Sequence, residues 1–184
     1  MGPRPFKGWL SLRPARLATE LGELGFSPMN NTVNHPQPCM PPSCDATTMV
    51  VDLSNSGLQG RFEHLTILAS PTGGYVVACL PFFTRGIAFG DLVAVEGPQN
   101  HFCAVVKRSG LRTLRAAFMD QRVAEKHHEE LHQVINAMGY PHEWHGSGDF
   151  AVLIRDLADQ RQVAHGLNKW ISDGTLSCEV APEP

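Results

Sequence analysis

No apolar run in this 184-residue chain approaches the length that spans a bilayer; the longest are stretches such as Tyr75 to Pro81. No continuous apolar core suits a secretory signal either, so a soluble, cytoplasmic protein with no membrane partner is expected. A dominant charge is also missing: 15 Lys and Arg stand against 18 Asp and Glu, interspersed, for a formal net charge of −3. Wholesale nucleic-acid binding needs a dense basic surface, so nucleic acid is not an expected partner. Metal-type cysteine pairs are absent. The five cysteines are odd in number, and Cys79, Cys103 and Cys178 sit in apolar strand-like runs, where cysteine acts as a small buried hydrophobe. Cys39 and Cys44 flank a loop-like stretch that could oxidise, but a reducing compartment is the simpler setting. There is no phosphate-cradling glycine loop and no nucleophile elbow.

What is present is a globular composition, 42% hydrophobic and 18% charged, in a chain long enough to bury a real core as one domain or two small ones. Residues 1–46 read as a flexible tail. Pro3, Pro5, Pro28, Pro36, Pro38, Pro41 and Pro42 are spread through polar sequence, and proline at that density resists both helix and sheet. Within it, Pro14 to Gly25 can form a short helix with Leu17, Leu21 and Leu24 on one side.

From Thr48 the texture changes. Met49 to Leu53, Phe62 to Ala69, Gly74 to Cys79, Leu92 to Val95 and His101 to Val106 are short branched and aromatic runs separated by turns. Five strands so spaced predict a small curved antiparallel sheet or barrel over 47–108. The rest, 109–184, reads β-α-β-β-α-β, the split order of ferredoxin-like folds. Arg112 to Met119 is strand-like; Asp120 caps a helix to about Met138, stopped by Gly139. Tyr140 to His145 and Phe150 to Ile154 are strands. Asp159 with Gln162 opens a second helix with Val163, Leu167, Trp170 and Ile171 on its apolar stripe. The final strand alternates Leu176, Cys178 and Val180 with Ser177 and Glu179. The fold class is therefore α+β.

The stretch Leu80-Pro81-Phe82-Phe83-Thr84-Arg85-Gly86-Ile87-Ala88-Phe89-Gly90-Asp91-Leu92-Val93, followed by Ser109-Gly110-Leu111-Arg112-Thr113-Leu114-Arg115, resembles an uncharacterised bacterial family known as domain of unknown function 4265. The resemblance spans about residues 48 to 181 and implies a soluble bacterial protein. It carries over no catalytic residues.

Three constellations bear chemistry. His128-Glu129-Glu130-Leu131-His132 is a literal H-E-x-x-H: on a helix the two histidines lie one turn apart and can bind zinc, with Glu129 placed to activate its water. No third ligand follows at metzincin spacing, so the helix is read as ordinary packing, its imidazoles toward water, with no cofactor expected and zinc as the alternative. On the next strand His142 and Trp144 share one face, Glu143 and His145 the other; either histidine can join the helix pair if the fold brings them together, but the preferred reading is a polar strand edge with a packed tryptophan. Phe83 and Arg85 offer an aromatic and a guanidinium beside a glycine, a combination suited to carboxylate or phosphate; the bland alternative is a core plug and an Arg85–Asp91 pair. Lys107, Arg108, Arg112 and Arg115 form the one dense basic cluster, at the passage between the two halves. Alternation puts Thr113 and Arg115 opposite Arg112 and Leu114, and an arginine on an apolar strand needs an internal acid or an anionic ligand.

The leading expectation is a non-catalytic protein that binds a protein partner or small anionic ligand through Phe83, Arg85, Lys107, Arg108, Arg112 and Arg115; a toxin-neutralising immunity protein is one form. Phe83, Arg85, Arg112 and Arg115 should then be more exposed than the core. The alternatives are a metal-dependent hydrolase using His128, Glu129 and His132, and a small-molecule or nucleotide sensor binding between the lobes through Arg112 or Arg115.

Overall fold

Period-two burial organises the first half. Along β3 (Phe62–Ala69) every second residue from Glu63 to Ile67 is buried, with half-buried residues between. β2 (Ala46–Asp52), β4 (Tyr75–Val77), β5 (Leu92–Glu96) and β6 (His101–Lys107) complete a five-stranded barrel. Each strand pairs antiparallel with the next, and β2 meets β6 in parallel at Val50 and His101 to close the ring. Met49, Val51, Leu65, Ile67, Val77, Cys79, Ile87 and Val93 fill its interior. The hairpin between β3 and β4 depends on Gly74: its φ is +75°, and a Cβ there would stand 2.9 Å from the Val93 carbonyl oxygen.

The computed structural model describes residues 31–35 and 45–180. The expectation of a tail therefore fails at 31–35, where Thr32–Asn34 form β1, parallel to the start of β3. The physical reason is local: between the flanking prolines lie the β-branched Thr32 and Val33, and Val33 is buried. The expected helix at 14–25, Cys39 and Cys44 lie outside the described residues.

The second half has the expected β-α-β-β-α-β order, with its last helix broken in two. β7 (Arg112–Phe118), α1 (Gln121–Met138), β8 (His142–His145), β9 (Asp149–Ile154), α2 (Leu157–Gly166), α3 (Asn168–Ser172) and β10 (Leu176–Val180) follow in turn. The strands form an antiparallel sheet ordered β10-β7-β9-β8. Asp120 caps α1 by accepting from the Arg122 and Val123 amides at 2.7 and 3.4 Å, worth about 1 kcal/mol. Gly139 ends the helix at φ 72°. The cap of α2 is Asp156, one turn before the expected Asp159, which instead binds the Arg155 guanidinium at 2.7 and 3.0 Å.

One sheet face carries Leu114, Ala116, Phe118, Phe150, Val152 and Ile154 against the helices. The opposite face presents Ala117, Ala151 and Leu153 to Val33, Leu53, Leu58, Leu80, Phe82 and Phe83 of the barrel side. The sheet is thus a middle layer, and the loop after β4 is pressed between it and the barrel.

Cys103 corrects another expectation. Two register shifts between β5 and β6 leave Cys103 and Val106 without a partner on β5, and both are exposed, Val106 at 61%. Cys79 is buried within the barrel and Cys178 is half-buried; burial pushes both thiols up, that of Cys178 to about 12. Under native conditions Cys103 is expected to react with iodoacetamide at least about tenfold faster than either, as peptide mapping over a time course will show. Equal rates would contradict the bulge.

Candidate functional site between barrel and sheet

The loop Leu80–Thr84 is the centre of the molecule, and its backbone is held by buried side chains. Glu63, fully buried on β3, accepts through Oε1 from the Phe82 amide at 2.6 Å and through Oε2 from the Phe83 and Thr84 amides at 3.2 and 2.6 Å. Glu143 on β8 accepts from the Leu80 amide at 2.8 Å. From the sheet, Arg115 donates through Nε to the Pro81 carbonyl at 3.0 Å, through Nη2 to the Thr84 carbonyl, and through Nη1 to Glu179 at 3.3 Å. The four amides of the loop meet carboxylates, and the Pro81 and Thr84 carbonyls meet a guanidinium, which offsets the cost of burying them.

His35, just after β1, closes the network. Its Nδ1 lies 2.6 Å from Glu143 and its Nε2 3.1 Å from Glu63, and its ring stacks on Phe82 at 4.5 Å and 12°. Carboxylates only accept, so both ring nitrogens donate and the ring is the imidazolium. Burial alone lowers the His35 pKa, but its side-chain interactions with Cys79, Glu143 and Glu63 outweigh it and raise the value to about 12. Burial likewise pushes Glu63 up, yet His35 and the loop donors bring it down to about 2. Arg115 is lowered by burial, with Glu63 and Glu179 opposing.

The candidate binding residues are divided by this arrangement. Phe83 and Arg115 are 7% and 5% exposed, contrary to the exposure expected of binding residues: Phe83 plugs the core between the layers and Arg115 is consumed by the loop. Arg85 is exposed, and it pairs with Glu179 at 3.5 Å rather than with Asp91. The partner of Asp91 is Arg108, at 3.1 Å. Buried Asp91 also accepts from the Ala88 and Ser109 amides at 3.0 and 2.8 Å, so Arg108 staples the 86–91 loop. Lys107 is exposed at the end of β6 and Arg112 is half-buried at the start of β7. Of the cluster, Phe83, Arg85 and Arg115 line one shallow cleft, together with Ser56, Asp149 and Glu179.

The H-E-x-x-H histidines do not turn to water as expected. His128 and His132, one turn apart on α1, both pack on Trp144, with ring centroids 4.8 and 5.5 Å away. His142 also approaches, its ring 6.2 Å from that of His132. Its Nδ1 is spent on the Tyr140 carbonyl at 2.9 Å, and that of His132 lies 2.8 Å from Asn136 Nδ2. Glu129 is exposed and bonded to Gln133. Among the described residues no group of three or more His, Cys, Asp or Glu has the geometry to hold a metal ion. The helix imidazoles turn inward because both pack against the Trp144 indole.

His35, Glu63 and Glu143 were not singled out from sequence. Glu63 had a signal: it shares the inward parity of Leu65 and Ile67. Glu143 had the same kind of signal as the partner of His145 on the face opposite Trp144. His35 had none, since proline-rich sequence hid it.

Among the described residues, no helix is long and apolar enough to cross a membrane. The fold is shared with the crystal structure of a hypothetical protein from Neisseria gonorrhoeae, at a TM-score of 0.53 and 19% identity over 77% of this chain and 96% of that one. A family model matches residues 63–178, from the glutamate that grips the loop to the residue before Glu179. With well over half its length so matched, the chain belongs to the family described as domain of unknown function (DUF4265).

Proposed function

We propose that the protein is a non-catalytic binding protein whose cleft at Arg85 takes an anionic group, a carboxylate or phosphate, carried by a protein partner or a small ligand. One observation carries this reading: Glu179 places its carboxylate between Arg85 and Arg115, at 3.5 and 3.3 Å, where an incoming anion would sit. It is 27% exposed and the Arg85 side chain 35%, so the pair can open without unfolding the sheet. A guanidinium at the mouth, a second one below and aromatic walls suit the paired oxygens of a carboxylate or phosphate. The loop that presents Arg85 is held rigid by Glu63, Glu143 and Arg115, which limits the ordering cost of binding. Toxin neutralisation is one biological form, with an acidic side chain of the toxin as the bound group.

Titration with inorganic phosphate and with a short polyglutamate peptide, followed by backbone amide NMR, tests the reading. Shifts should cluster at Arg85, Thr84 and Glu179. Arg85→Ala should abolish them while moving the melting temperature by no more than about 2 °C, as an exposed side chain with a weak ion pair would. Glu179→Gln, which removes the competing anion, should tighten binding several-fold. Unchanged spectra with both probes, or equal binding by Arg85→Ala, would refute the proposal.

A further inference from the structure

The cleft at Arg85 has a second charged end. On the barrel-facing side of the sheet, Glu179 lies beside Arg115 and Arg115 beside Ala151. Two residues along, the next row sets Ser177, Ala117, Asp149 and His145 side by side. Asp149 lines the same cleft as Arg85, Arg115 and Glu179. Strand pairing on both sides, to Ala117 and to His145, fixes its backbone. Its side chain is 22% exposed and pairs with the His145 ring at 3.5 Å, beyond ordinary hydrogen-bond length. A half-buried carboxylate held in that way has capacity for a stronger donor.

Between the two ends the lining is apolar. Ala117, Leu58, Phe82 and Phe83 supply it, and His145 stands at the acidic end, its ring 5.5 and 5.8 Å from those of Phe82 and Phe83. Strand geometry sets the length. Glu179 and Asp149 are two strand spacings and two residues apart, about 12 Å between Cα atoms. An anion replacing Glu179 between the guanidinium groups, and an ammonium within hydrogen-bond reach of Asp149, then stand roughly 6–9 Å apart. A simple anion uses one end. A polyanion meets the repulsion of Asp149 at the other.

We infer that the cleft selects a dipolar ligand, its carboxylate at Arg85 and its ammonium at Asp149, spaced as in 6-aminohexanoate or a C-terminal lysine. This rests on the anion-binding reading of Arg85 and adds a second contact to it. In both molecules six bonds separate the ammonium nitrogen from the carboxylate carbon, about 7.5 Å when extended. Glycine spans about 2.5 Å and reaches one end alone. The ammonium replaces His145 as the partner of Asp149 and lies near the faces of the phenylalanines. The methylenes between cover Ala117 and Phe83, which removes apolar surface from water.

Amide NMR titrations of the unmodified chain at constant ionic strength, with hexanoate, 6-aminohexanoate, glycine and Nα-acetyl-lysine, test this. The dissociation constant for 6-aminohexanoate is expected at least about fivefold below that for hexanoate. Shifts at Asp149 and His145 should join those at Arg85, and glycine should bind more weakly than either. Asp149→Asn, which keeps the shape and removes the charge, should bring 6-aminohexanoate to the level of hexanoate and leave hexanoate within about twofold. Nα-acetyl-lysine that matches 6-aminohexanoate identifies a peptide chain end as the source; binding by 6-aminohexanoate without it identifies a free small molecule. Equal constants for hexanoate and 6-aminohexanoate overturn the dipolar site, and Arg85→Ala, by removing or keeping that binding, then shows whether the anion seat stands. A preference that survives Asp149→Asn overturns it too, because the ammonium then lies elsewhere. If neither these ligands nor phosphate shift any amide, both readings fall.

Discussion

Glu63→Ala is expected to lower the free energy of unfolding by about 3–5 kcal/mol, the cost of breaking a buried ion pair from one side. The loss has several parts that act together. The His35 imidazolium keeps only Glu143, Arg115 loses one of the two negative charges that offset its burial, and the Phe82, Phe83 and Thr84 amides lose their acceptor. Against a typical stability of about 5–15 kcal/mol, the variant should be barely folded at 37 °C, and urea unfolding followed by tryptophan fluorescence will measure it. Glu63→Gln should recover only part of the loss, since one of its two oxygens becomes a donor facing donors. A cost under about 1 kcal/mol for Glu63→Ala would mean that the network does not hold the loop.

The same network sets a pH optimum. Glu63 has a folded pKa lowered to about 2 from 4.5. Its contribution is complete above 4.5 and disappears as pH falls through 2. His35 is raised to about 12 from 6.5, so its contribution is complete below 6.5 and declines as pH rises towards 12. Stability should therefore peak between about pH 4.5 and 6.5 and fall on the alkaline side by up to about 1.4 kcal/mol per unit. Urea midpoints from pH 5 to 9 will show this slope in the unmodified chain. His35→Gln, which cannot carry the charge, should be less stable at pH 6 and nearly flat above it. A midpoint independent of pH, or an alkaline slope that survives in His35→Gln, would remove His35 from the account.

Much of the architecture was legible because it follows from local chemistry. Asp120 and Gly139 bound α1 through a side-chain acceptor and a positive φ, both of which depend on residue type alone. The alternation of β7 placed Arg115 on the face opposite Leu114, and the need of a buried guanidinium for partners followed at once. What the partners would be did not follow. Pro81 and Thr84 offer main-chain carbonyls, which are the same in every residue, and Glu179 comes from the far end of the chain. The cap of α2 is not legible because Asp156 and Asp159 are equally good acceptors locally; Arg155 decides between them. Helical periodicity points His128 and His132 to solvent because it says nothing of the neighbouring strand, and Trp144 lies there. His35 was hidden for the opposite reason: proline-rich composition argues against order on average, and three strand residues suffice to violate it.

Since Glu63 and Glu143 grasp peptide hydrogens and Arg115 grasps peptide oxygens, the path of Leu80–Thr84 is specified without reference to most of its side chains. Replacement within the loop is then limited mainly by size against the neighbouring layers. Proline is the exception. At positions 80, 82, 83 and 84 it would delete a hydrogen that a buried carboxylate requires, whereas Pro81 occupies the one place in the run whose nitrogen is asked for nothing. Homologous chains should therefore vary in loop side chains while keeping proline out of those four positions, a signature visible by aligning relatives.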